Sequence, residues 1–158
     1  MTITLRDACE SDAAFLLEVY GSTRVDELAL VSWSDEQKEA FLKFQFDAQH
    51  GFYHDQYPQA SYNIILRDSE PVGRLYVLRE EDQMRILDIT VLPRYRNTGV
   101  GTALIRELLN EGTQTRKPVH IWLEYFNPSL RLFERLGFSR IQEEGINCLM
   151  EWQAEDRQ

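Results

Sequence analysis

Basic residues are scarce in this sequence: 17 Lys and Arg stand against 26 Asp and Glu, a formal net charge of −9. A surface of that sign repels a phosphate backbone, so nucleic acid is not an expected partner. Cysteine is scarcer still. Cys9 and Cys148 lie far apart, without CxxC spacing and without a histidine placed to share a zinc with them. That excludes a disulfide framework and a zinc ribbon, and reduced thiols are expected. No apolar run approaches the roughly 20 residues that cross a bilayer, and residues 1–7 lack a basic segment followed by an apolar one. A cytoplasmic protein without a membrane partner is the expectation. Repeats, low-complexity tracts and linker-like stretches are also missing, so residues 1–158 are expected to form a single domain around one core.

What is present is a clear change of period along the chain. Ile3 and Leu5 alternate with polar neighbours, as in a strand, and Ser11-Asp12 caps a helix carrying Phe15, Leu16, Val19 and Tyr20 up to Gly21. Ser34 and Gln37 form a capping box ahead of Ala40, Phe41, Phe44 and Ala48, which predicts a second helix ending at Gly51. Residues 62–66, 73–78 and 84–92 read as three successive strands separated by polar turns. A helix follows with Leu104, Ile105, Leu108 and Leu109 on one stripe and Gly112 as its stop, and then a buried strand over 119–123. Asn127-Pro128 reads as an N-cap with Pro at the first helical position, Leu132, Phe133 and Leu136 facing inward, before strands near 138–143 and 146–152. The order defines an α/β (α+β) domain.

The chemistry concentrates where the strand ending Ile89-Thr90-Val91 runs through a basic, glycine-containing loop into a helix. The first turn of a helix offers unpaired N–H groups and the positive end of its dipole. Gly99 and Gly101 carry no Cβ to hold an anion away, and Arg96 adds a charged donor. Neither a P-loop nor a dinucleotide GxGxxG is present. The residues alone leave two readings open: an anion cradle, or a strand-to-helix turn eased by glycine.

Arg96-Asn97-Thr98-Gly99-Val100-Gly101 resembles the R/Q-x-x-G-x-G/A loop of the GNAT acetyltransferases, and Asn127 to Phe138 resembles that family's N-P-A-x-x-x-Y-E-x-L-G-F segment. The resemblance implies a twisted, mixed, mostly antiparallel sheet flanked by helices, in which the strands ending near Val91 and Leu123 splay around acetyl-CoA. It implies that the N–H groups from Arg96 through Asn97, Thr98, Gly99, Val100 and Gly101 to Thr102 hold the pyrophosphate. Ile89 and Val91 would pair with the pantetheine arm, and the Val91 N–H would polarise the thioester. Asn127 has two roles open to it, as helix cap or as a contact to the cosubstrate. The implied reaction is direct transfer of acetyl to the primary amine of a small molecule or peptide, with a homodimer as the family's common assembly. The alternative is an acyl-CoA-binding module without catalysis.

Departures from the family pattern make the catalytic residues the open question. Phe133 stands where the family carries a proton-donating Tyr, and Arg85 where many relatives carry a Glu. Asp88 is the candidate base, with strand anchoring as its other reading, and Tyr125 is the candidate donor, with packing as its other reading. Trp33, Phe46, Tyr53 and Tyr57 are candidate acceptor-pocket residues, Phe46 because it falls off the Phe41, Phe44, Ala48 stripe. His50 and His54 have metal-like spacing, but with Gly51 expected to break the helix and no third ligand in sight, no metal site is expected.

Overall fold

The alternating segments form one seven-stranded mixed sheet in the order β1-β2-β3-β4-β5-β7-β6. The strands are β1 (Ile3–Asp7), β2 (Ser61–Arg67), β3 (Glu70–Arg79), β4 (Met84–Val91), β5 (Val119–Glu124), β6 (Ser139–Glu144) and β7 (Asn147–Trp152). The helices are α1 (Ala13–Ser22), α2 (Val25–Ala29), α3 (Asp35–Gln56), α4 (Val100–Thr115) and α5 (Leu130–Arg135). These come from a computed structural model that describes residues 1–155. None of its helices is long and apolar enough to cross a membrane.

Two features of the sheet matter for function. Leu87 is an extra residue in β4: Tyr76 pairs with Asp88 but the next residue, Val77, pairs with Ile86, so β4 bulges between them. Beyond the bulge β4 loses its other neighbour. The parallel pairing with β5 covers Met84 to Ile86 against Val119 to Ile121 and stops there, which leaves the C-terminal halves of both strands apart.

α4 and α5 cover one face, where Leu104, Ile105, Leu108, Phe133 and Phe138 pack on Leu75, Val77, Ile121 and Met150. α1 and α3 cover the other face over β2 to β4, with Leu16, Tyr20 and Phe46 on Ile64. β3, sandwiched between both layers, is buried at seven consecutive positions, the pattern of a strand covered on two sides.

Several helix boundaries differ from the sequence expectation. α3 continues through Gly51 for 22 residues. A mid-helix glycine costs about 1 kcal/mol relative to Ala, too little to end a helix anchored by a satisfied capping box at Ser34 and Gln37. The helix ends instead ahead of Pro58, which disfavours helical geometry at Tyr57. The face of α3 is also rotated from expectation: Phe46 is buried in the core and Phe44 is 73% exposed, so Phe46 is a packing residue rather than a pocket residue. α4 likewise passes Gly112, where a Cβ would meet the Lys117 carbonyl at 2.9 Å and Trp152 at 3.0 Å. That glycine serves the close return of the chain, and Arg116, in the left-handed region at φ 58°, ends the helix. α5 starts at Leu130, with Asn127 in a turn ahead of it, and α2 was not foreseen because its five residues show no periodic stripe.

Gly73 lies opposite Val91, and a Cβ there would run into the Thr90 carbonyl and the Val91 Cα. Gly73→Ala is therefore expected to lower the unfolding free energy by about 1–3 kcal/mol in urea titrations, because the obstacle is backbone and cannot rotate away.

Candidate active site

The open half of β4 presents unpaired backbone groups. Leu92 N–H donates to the Val72 carbonyl at 2.8 Å, toward β3. Since successive residues of a strand point their N–H and C=O groups to alternate sides, those of Val91 and Ile89 point the other way, into the gap left by β5. The Val91 carbonyl accepts the Arg96 Nε at 3.0 Å. The Leu87 carbonyl, at the bulge, accepts the Tyr53 hydroxyl at 3.3 Å. Between these two ties the N–H groups of Ile89 and Val91 are left as an unpaired strand edge.

At the far end of that edge the loop makes the cradle. Asn97 and Gly99 both have positive φ, at 60° and 90°, and the turn is held by the Thr98 hydroxyl on the Tyr95 carbonyl at 2.6 Å. Ala103 N–H makes the first helical bond, to Gly99. The Arg96 N–H, expected in the cradle, donates instead to the Pro93 carbonyl at 3.2 Å, and no acceptor among the described residues pairs with the N–H groups of 97–102. Gly101 is not demanded by the packing: a Cβ there would meet only Leu132, at 3.9 Å. These six N–H groups thus have no protein acceptor, and such a set of donors at a helix start suits an anion.

Where β4 and β5 part company, a cavity of about 300 Å³ is lined by Phe52, Tyr53, Tyr57, Arg85, Ile86, Leu87 and Trp122. Tyr53 and Tyr57 were expected here. Trp33 was too, but it packs edge-to-face on Phe41 and is not part of the lining. Burial, followed by the nearby Asp88 charge, pushes the Tyr53 phenol well above its usual range, so it stays a donor. Arg85 donates to the Tyr57 oxygen at 3.3 Å. Trp122 also borders a second, open hollow of about 570 Å³ beside the β6–β7 turn. Trp122 escaped sequence reasoning, although alternation in β5 marks it: Val119, Ile121 and Leu123 are buried, so His120, Trp122 and Glu124 share the opposite face.

Asp88 does not face this cavity as a free base. Both of its oxygens are taken by Arg74, Nε to Oδ1 at 3.2 Å and Nη2 to Oδ2 at 2.9 Å, and Thr90 adds a hydroxyl at 2.7 Å. Arg74 is 2% exposed and also donates to Gln49 of α3 at 2.9 Å. The pair anchors α3, β3 and β4 together. Tyr125 is likewise engaged elsewhere, with Arg140 of β6 5.4 Å from its ring centre. Desolvation and the Glu143 carboxylate of the same strand raise its phenol. Asn127 spends its Oδ1 on Ser129, on the N–H at 2.9 Å and the hydroxyl at 2.7 Å. Phe133 is sealed in the core against Phe138. His50 and His54 sit on one unbroken helical face with rings 4.3 Å apart, so the expected break at Gly51 is corrected.

The parallel strands β4 and β5 thus diverge, with the loop at 97–102 following β4 and an aromatic cavity at their fork. The chain belongs to the acetyltransferase (GNAT) family, whose model matches residues 23–138. The fold is that of the N-acetyltransferase PaiA from Thermoplasma acidophilum, solved in complex with coenzyme A, at TM-score 0.72 and 16% identity over 98% of this chain and 100% of that one. A GCN5-related N-acetyltransferase from Rhodopseudomonas palustris aligns at TM-score 0.68 and 21% identity, covering 98% and 97% of the two chains. Ard1 from Thermoplasma volcanium aligns at 0.61 and 19%, covering 99% and 100%. No curated protein matches the sequence.

Because removing one member of a buried ion pair strands the other, Asp88→Ala is expected to lower the unfolding free energy by about 3 kcal/mol in chemical denaturation. A variant of undiminished stability would contradict the anchoring role.

Proposed function

We propose that the protein transfers the acetyl group of acetyl-CoA to a primary amine by direct attack in a ternary complex. The observation that carries this reading is a pair of unpaired N–H groups on the β4 edge, at Ile89 and Val91, followed a few residues later by the unpaired N–H groups of 97–102. The cradle takes the pyrophosphate, and the Val91 N–H pairs with an amide of the pantetheine arm as an added strand would. The thioester then reaches the bulge. Ile89 lies two residues nearer the cavity than Val91, so its N–H is the fixed dipole for the oxygen that gains charge as the amine attacks, the role first expected of Val91. The amine arrives through the aromatic cavity, the new C–N bond forms as the C–S bond breaks, and the amine proton leaves to water at the open mouth.

No carboxylate or histidine lines the cavity, so the amine's proton goes to water and only the proton for the departing thiolate falls to a side chain. Tyr57 supplies it in this proposal: its oxygen accepts from Arg85, and no partner among the described residues takes its own proton. Cytoplasmic residence and pairing as a homodimer belong to the proposal as features carried over from the family resemblance.

Three results test it. Wild-type protein is expected to bind acetyl-CoA in calorimetric titration. Gly101→Ala, which replaces a helical glycine where the packing has room, is expected to keep or slightly raise stability while weakening that binding about tenfold. Tyr57→Phe is expected to lower kcat by about 10²-fold without changing acetyl-CoA affinity. Acetyl-CoA binding without amine-dependent thiol release across a broad acceptor panel would favour the non-catalytic alternative.

A further inference from the structure

Arg85 is the one basic residue in the lining of the cavity at the β4–β5 fork. Its guanidinium carbon stands 5.4 Å from the Tyr57 ring centre, and its recorded hydrogen bond is the single Nη1 contact to the Tyr57 oxygen. Arg6, Arg74 and Arg79 each meet a carboxylate. Among the described residues no carboxylate lies within ion-pair distance of Arg85, in a chain with 26 acidic residues. The nearest register partner across the sheet, His120, is committed to Gln83 and Glu151, and the second oxygen of Glu151 accepts from Gln153. Arg85 therefore keeps most of its five-donor fork for something that enters the cavity, and that fork fits a carboxylate through two parallel bonds.

We propose that the acceptor is an amino-acid-like molecule whose carboxylate is bound by Arg85 and whose apolar side chain lies against Phe52 and Trp122. The inference rests on the acetyltransferase reading and narrows it. The cavity volume of about 300 Å³ is at the small end of ligand sites and suits a free amino acid rather than a folded protein surface. Tyr57 holds the guanidinium by its ring and its oxygen, which orients the fork before the ligand arrives.

The test uses leucine, methionine, phenylalanine and tryptophan, each paired with its carboxamide, as acceptors and as ligands in calorimetry, on wild type and Arg85→Gln. At least one amino acid is expected to exceed its amide tenfold or more in kcat/KM and in affinity, and Arg85→Gln is expected to erase that preference. Amides that match or exceed the acids, or a preference that survives the substitution, would overturn the proposal, as would failure of all four acids to bind. Acetyl-CoA titrations run on both proteins keep the two readings apart. If acetyl-CoA binds and the acids do not, this inference falls and the transferase stands. If the acids bind through Arg85 and acetyl-CoA does not, the transferase reading falls and the carboxylate site stands. A tenfold loss of acetyl-CoA affinity in Arg85→Gln would assign the guanidinium to the cosubstrate's phosphates and overturn the proposal.

Discussion

The site depends on a buried ion pair. Arg74 of β3 and Asp88 of β4 meet through two bonds immediately after the Leu87 bulge, with Gln49 of α3 as a third member. A bulge in an otherwise regular strand competes with a one-residue slip that restores full pairing but turns every following side chain to the opposite face. In the slipped register the Asp88 carboxylate would leave Arg74, and a guanidinium with almost no solvent contact would lose its counter-charge, a loss of several kcal/mol. The pair thereby specifies the bulged register. Ion pairs of this kind add little net stability over an apolar replacement, and their value here is the geometry they select.

The opening between β4 and β5 follows from that register. Three residues of parallel pairing hold the fork closed at its base, and beyond it β4 keeps β3 on one side only. One strand edge is thus left unpaired inside the molecule, where a polar backbone without partners is costly and a ligand with amides of its own is the natural complement. The same divergence leaves room for the cavity between α3 and Trp122.

Much of the fold was legible because the relevant signals are local. Seven strands follow from alternation and turn residues, and Ser34 with Gln37 marks the start of α3 through a capping box that the structure reproduces. The loop at 96–102 was legible as a strand-to-helix turn, with Gly99 in the left-handed region, while the residues alone left its binding role open and the family resemblance supplied it. What failed depended on tertiary contact. Gly51 and Gly112 read as stops because packing against the sheet, which outweighs a weak propensity, is invisible in sequence. Phe46 and Phe44 exchanged roles because both lie near the edge of a helical stripe whose rotation is set by Ile64 on β2. Asp88 stayed open between base and strand anchor because Arg74, fourteen residues away, is brought to it only by strand pairing, which makes it the anchor. Arg85 was noticed for the carboxylate it replaces, while its own charge acquires meaning only beside Tyr57.

The central claim is that the unpaired N–H groups of β4 and the 97–102 loop are the surface on which acetyl-CoA lies. Backbone amide NMR during an acetyl-CoA titration tests it most directly. The account predicts that the largest shifts and the strongest new exchange protection fall on Ile89, Val91 and residues 97–102, with β1 and β6 unaffected. Saturable binding that leaves those amides unchanged would contradict it.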